Sequence, residues 1–143
     1  MGSDERGTAL VEAAIIVPLV LLIMVGIFEV GRAYQTYQVL TNAAREGARA
    51  SVVPTGDVKT VEAIVQQYMD DGQVPRKSQT TISVNRSAAM QVNGQNVGAS
   101  LVTIDYPFDF IMLQPVAQLV AGGSKAGGSF VMRASSLMRN ESQ

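Results

Sequence analysis

Sixteen consecutive residues, Ala13 to Phe28 (AAIIVPLVLLIMVGIF), carry no charged or polar side chain. As an α-helix they rise about 24 Å, and extending the segment back to Thr8 gives twenty-one residues interrupted only by Glu12, close to what the roughly 30 Å hydrocarbon core of a bilayer requires. A buried core helix of a globular protein usually keeps a polar side, and this run has none. A cleaved secretory signal fits poorly as well. The residues before the run, MGSDERG, set one arginine against Asp4 and Glu5, and Gly26 to Tyr34 offers bulky residues in place of a small-residue cleavage site. A retained, single-pass membrane helix is the expectation.

Pro18 lies inside the run, where it removes the backbone bond to the carbonyl of Ala14 and predicts a kink or local loosening. Membrane helices tolerate such a residue when neighbours compensate. Glu29 and Arg32 stand three apart at the end of the run, and Tyr34 and Tyr37 follow. That order suits an interfacial ion pair with an aromatic anchor and places the membrane boundary near residues 29 to 37.

From Val30 the helical spacing continues through Tyr34, Tyr37, Thr41, Ala44 and Ala48, with no breaker before Pro54, so one helix should run from Thr8 to about Ser51. Its second half carries a stripe of small residues, Ala43, Ala44, Gly47 and Ala48, against which a sheet or another helix should pack. Pro54-Thr55-Gly56-Asp57 reads as a turn. It feeds a second helix with Thr55 or Asp57 as N-cap, Val61, Ile64, Val65 and Tyr68 as its apolar face, and Asp70-Asp71-Gly72 as its stop. Alternation over Thr80 to Arg86, over Val102, Ile104 and Tyr106, and over Phe130, Met132, Ala134 and Met138 predicts three strands. Asn93-Gly94 and Gly98 mark the first connection between them. The second, Pro107 to Gly128, contains an apolar piece from Phe108 to Val120 and ends in the glycine-rich GGSKAGG. That piece either closes one end of the core or forms an exposed patch for another subunit or the membrane surface. The fold class is α+β: a long N-terminal helix with a transmembrane first half, a second helix and a small antiparallel sheet of about three strands.

The chain of 143 residues has no cysteine and no histidine, which excludes disulfides, thiolate or imidazole metal sites and histidine acid-base chemistry. Eleven basic against twelve acidic side chains leave no basic footprint for nucleic acid. GGSKAGG lacks the spacing of a phosphate-binding loop. Asp105 and Asp109, which flank Tyr106-Pro107-Phe108, have no third ligand nearby in sequence and read as a solvated strand end. No enzyme, no cofactor and no small-molecule substrate is expected.

Several stretches resemble the TadE-like family, minor pilins or pseudopilins of the tight-adherence (Tad/Flp) pilus, a type IV-like pilus. They are Arg6-Gly7, Thr8-Ala9-Leu10-Val11-Glu12, the apolar run with Pro18, Gly26-Ile27-Phe28-Glu29-Val30-Gly31-Arg32, and Thr41-Asn42-Ala43-Ala44-Arg45-Glu46-Gly47-Ala48-Arg49. The resemblance covers about residues 6 to 50. It implies a pilin-like fold with residues 1–7 as a prepilin-type leader, 8–30 as the transmembrane helix, 31–53 as its extracytoplasmic continuation and 54–143 as a small helix-plus-sheet domain. It further implies that a prepilin peptidase cuts after Gly7, leaving Thr8 as the new N-terminus and Glu12 at its fifth position. The absence of a side chain on Gly7 gives a peptidase access to the scissile backbone.

A carboxylate in an apolar stretch is costly unless paired. The freed amine of Thr8 on a neighbouring subunit is a suitable partner, and Glu12 would then register this subunit against adjacent pilin helices; the plainer alternative is a Glu12 that only sits near a positive helix N-terminus. Implied partners are the membrane, the peptidase, other pilin and pseudopilin subunits and the assembly machinery. The implied location is the bacterial inner membrane, N-terminus cytoplasmic and C-terminal domain extracytoplasmic, with passage into the extracellular pilus and a role in assembly, the tip or cell adhesion. The competing reading is a permanently anchored binding module whose helix is only a tether.

Overall fold

The computed structural model describes residues 3–53, 57–75, 77–112 and 129–140. The elements run in the order α1 (Ser3–Ser51), α2 (Val58–Asp71), a short 3-10 turn (Lys77–Gln79), β1 (Thr81–Val92), β2 (Gln95–Phe108) and β3 (Phe130–Arg139). This is the expected α+β fold. Two compact units are present, one formed by Met1–Arg32 with Asp109–Gly128 and the other by Ala33–Phe108 with Ser129–Gln143. Pro54-Thr55-Gly56 of the expected turn, the apolar piece beyond Met112 and GGSKAGG lie outside the described residues.

Helix α1 begins at Ser3, earlier than the Thr8 expected from the sequence, and takes in Gly7. No proline lies between Ser3 and Thr8 to stop the helix. Pro18 lies within α1, which continues through it.

In the second unit the small-residue stripe does what its spacing predicts. Leu40, Ala43, Ala44 and Ala48 are fully buried. A Cβ built on Gly47 would stand 2.6 Å from Val65 Cγ2 and 3.3 Å from Val102 Cγ1, so α2 and β2 both pack on this turn of α1. Asp57 occupies the N-cap position of α2 without a capping side-chain bond. The buried face of α2 is Val61, Val65 and Met69. Tyr68, expected there, is exposed: a step of four from Val65 keeps the stripe on the helix contact, whereas a step of three carries the bulky ring to its edge.

The sheet is antiparallel with β2 in the centre. Its inward rows align Ile82, Ile104 and Ala134, with Tyr106 opposite Met132 and Phe108 opposite Phe130. The rings of Phe108 and Phe130 lie 5.4 Å apart in a tilted arrangement. Pro107 is tolerated in a central strand because β1 starts opposite Asp105; Pro107 pairs with Val131 alone and has no ladder bond to lose on the β1 side.

Two features differ from the sequence expectation. Strand β1 runs on to Val92, well past Arg86: burial keeps its two-residue alternation to the end of the strand, and a bulge between Asn85 and Ala88 shifts the register without ending the pairing. Gly98 is not part of the connection but pairs with Ala89 within the ladder. The turn is Asn93-Gly94 alone, with φ of 52° and 79°, the positive pair that a two-residue hairpin demands. Asn140 fastens the bulge: its amide nitrogen donates to the Arg86 carbonyl at 3.2 Å, and its carbonyl oxygen accepts from the Ser100 hydroxyl at 2.6 Å.

On the outer face Arg133 donates twice to Asp105, at 2.6 and 2.8 Å. The hydrogen bond from Arg133 holds the Asp105 carboxyl below its ordinary range. A carboxyl with a lowered folded pKa contributes stability above its unfolded pKa and loses it as pH falls through the folded value. Asp105→Asn should therefore cost less than about 1 kcal/mol at pH 7, as exposed pairs do. Denaturant titrations of both proteins should converge below the usual carboxylate range.

Candidate functional site

Gly7, Thr8 and Glu12 lie on the exposed first turns of α1. Thr8 and Glu12 are four apart and share a face. A Cβ on Gly7 would meet nothing within 4 Å, so the backbone there is sterically open on the side where a side chain would stand. From Gly7 to Phe28 no residue is buried, and Leu10, Val11, Ile15, Ile16, Val17 and Leu19 are among the large apolar side chains left exposed. This helix is long and apolar enough to cross a membrane. An apolar surface of this extent is stable only against lipid or other apolar helices.

Glu29 ends the apolar run and is fully buried. The expected pair with Arg32 forms, with Nη2 at 2.8 Å from Glu29 Oε2. The carboxylate does more than pair. Its other oxygen, Oε1, accepts the backbone N–H groups of Ile111 at 2.8 Å and Met112 at 2.6 Å, and Arg32 also donates to the Asp109 carbonyl. Asp109 takes part through its backbone carbonyl, whereas Asp105 belongs through its carboxylate to the surface pair with Arg133. Among the described residues there is no group of three or more potential metal ligands.

Beyond Arg32, Tyr34 and Tyr37 are both exposed, and the Tyr37 carbonyl accepts from the Thr41 hydroxyl at 2.8 Å. Residues 7–49 match the family model for TadE-like protein. The N-terminal segment is TadE-like. No curated protein and no solved structure matches the chain. The TadE-like segment contains Gly7, Thr8, Glu12, Pro18, Glu29, Arg32, Tyr34 and Tyr37, and it ends just past the small-residue stripe that receives α2 and β2. The likeness is confined to this segment, whose helix is long and apolar enough for a single pass through a membrane.

Sequence reasoning missed the backbone groups that complete the Glu29 site. The amides of Ile111 and Met112 lie 82 and 83 residues away along the chain. The one available signal was the placement of an acidic residue directly after sixteen apolar ones, which demands a partner of some kind.

Proposed function

We propose that this protein is a minor pilin, or pseudopilin, of a tight-adherence type IV-like pilus, cut after Gly7 by a prepilin peptidase and held in the inner membrane until it joins a filament. The observation that carries this reading is the exposed apolar surface of α1 within the segment that matches the TadE-like family. Such a helix has two favourable environments, a bilayer and the apolar helices of other pilin subunits, and passage between them exchanges one apolar contact for another. The chain's role in this account is structural. Extraction from the membrane falls to the assembly machinery.

In this scheme residues 1–7 form the cytoplasmic leader and the helix-plus-sheet portion lies outside the inner membrane. After cleavage the new amine of Thr8 and the carboxylate of Glu12 stand one helical turn apart. An amine from one subunit facing Glu12 of the next would neutralise a charge that is costly in an apolar filament core, and would fix the axial register of the two helices. Glu12→Ala is expected to leave insertion and processing intact while abolishing co-purification with other pilin subunits from detergent-solubilised membranes. Undiminished association would remove the registry role.

A further inference from the structure

The last residues of the apolar run, Ile27 and Phe28, and the following Val30 all present exposed side chains, whereas Glu29 between them is fully covered. The cover is the chain immediately after β2. Three backbone groups of that chain are fastened to α1: the N–H of Ile111 and of Met112 to the Glu29 carboxylate, and the carbonyl of Asp109 to the Arg32 guanidinium. Positions 29 and 32 lie within a single helical turn, so residues 109–112 are fixed along the helix axis to the level at which the apolar run ends.

The segment turns its polar backbone toward the carboxylate and guanidinium and its side chains elsewhere. Ile111 is 63% and Met112 48% exposed. Two large apolar side chains are thus displayed on a backbone held by a buried ion pair, beside the exposed Ile27, Phe28 and Val30 of the same compact unit. The sequence around them is suited to an apolar surround, since no charged residue occurs between Asp109 and Lys125.

We infer that Ile111 and Met112 form a second membrane contact, inserted into the interfacial layer of the bilayer beside residues 27–30 and held at that depth by Glu29 and Arg32. The inference rests on the reading of α1 as membrane-spanning: once the helix crosses the bilayer, lipid is the medium at the level of residues 27–30, and a segment pinned there meets the same medium. Burial of the Glu29 carboxylate follows from the same geometry. Its charge is neutralised by Arg32 and its second oxygen is occupied by amides, so the helix does not carry a bare carboxylate into the interface. The contact also gives the anchor a second attachment point, which limits rotation of α1 about its own axis in the membrane.

The chain has no cysteine, so single substitutions take one nitroxide label each. The full chain carrying Ile111→Cys, with Leu21→Cys in the middle of the apolar run and Tyr68→Cys on the exposed face of α2 as references, would be reconstituted in vesicles of phosphatidylcholine and phosphatidylglycerol. Collision with lipid-soluble oxygen and with a water-soluble nickel chelate would then be compared by electron paramagnetic resonance. The label at 21 should favour oxygen and that at 68 nickel. The label at 111 should favour oxygen, and adding Glu29→Ala should shift it toward nickel. A label at 111 as open to nickel as the one at 68, while 21 reports lipid, overturns the second contact alone. Shielding of 111 from both reagents overturns it in favour of a protein partner. If 21 also reports water, the membrane-spanning reading fails and the inference falls with it.

Discussion

Gly47→Leu is expected to abolish the folded state of the unit formed by the second half of α1, α2 and the sheet. Even a Cβ at this position would stand 2.6 Å from Val65 Cγ2, with Val102 Cγ1 at 3.3 Å and Val61 Cγ1 at 3.6 Å. These are β-branched side chains on a helix and a strand, with little rotamer freedom to retreat. Gly47→Ala gains about 1 kcal/mol of helix propensity, but overpacking costs about 1–3 kcal/mol, so the net change should be destabilising. Leucine adds three further carbons to the same space, and the helix has to lift from α2. Hydrogen exchange of the full chain in detergent checks this: peptides from β1 to β3 should lose protection in Gly47→Leu and keep most of it in Gly47→Ala. Val65→Ala should restore part of what Gly47→Ala loses, because it removes the nearest methyl. Native protection in the leucine variant would show that the packing of α1 against α2 and β2 is not what holds the unit.

Glu29→Ala should release residues 109–112 from the helix. The substitution removes the acceptor of two backbone N–H groups and the partner of Arg32 in one step. Truncating one member of a buried ion pair costs about 3–5 kcal/mol because the other charge is left uncompensated. Here Arg32 retains the Asp109 carbonyl and some contact with solvent, so the lower end of that range applies. Exchange at the amides of Ile111 and Met112 should accelerate by about a hundredfold, the equivalent of roughly 2.7 kcal/mol of local opening. Glu29→Gln keeps one oxygen acceptor and should fall between the two. Unaltered exchange in Glu29→Ala would mean that this segment is held by something other than the carboxylate.

The parts of the fold that were legible in the sequence are those set by short-range periodicity. The sixteen apolar residues of α1, its stripe of small residues and the Asn93-Gly94 hairpin each announce themselves within a few residues, because helix period, close approach and positive φ are local demands. The helix and sheet that cover Gly47 could be expected from the stripe, though the identities of Val65 and Val102 could not. Where long-range pairing decided the outcome, local pattern misled. In β1 the apolar row of Ile82 and Val84 meets Arg86, and pairing with Gln95 to Ala99, together with the Asn140 amide on the Arg86 carbonyl, carries the strand on past it. Tyr68 has the size and apolarity of a core residue, but Met69 stands where the helix faces its neighbours.

At the candidate site the division is similar. Glu29 and Arg32 declare themselves as an i,i+3 pair at the end of an apolar run, and they do pair. Their hold on Asp109, Ile111 and Met112 had no sequence signature, because a backbone amide is the same in every residue and carries no side-chain mark of the carboxylate it meets. Processing at Gly7 and registry through Glu12 rest on a motif and on the family it resembles, so chemistry must test them.

Intact mass with N-terminal sequencing, on the chain co-expressed with and without a prepilin peptidase, tests the account most directly. The pilin reading predicts a chain that begins at Thr8 only when the peptidase is present, and a full-length precursor when Gly7 is replaced by a bulky residue. A chain that keeps its first seven residues beside an active peptidase would contradict it and leave a permanently anchored binding module.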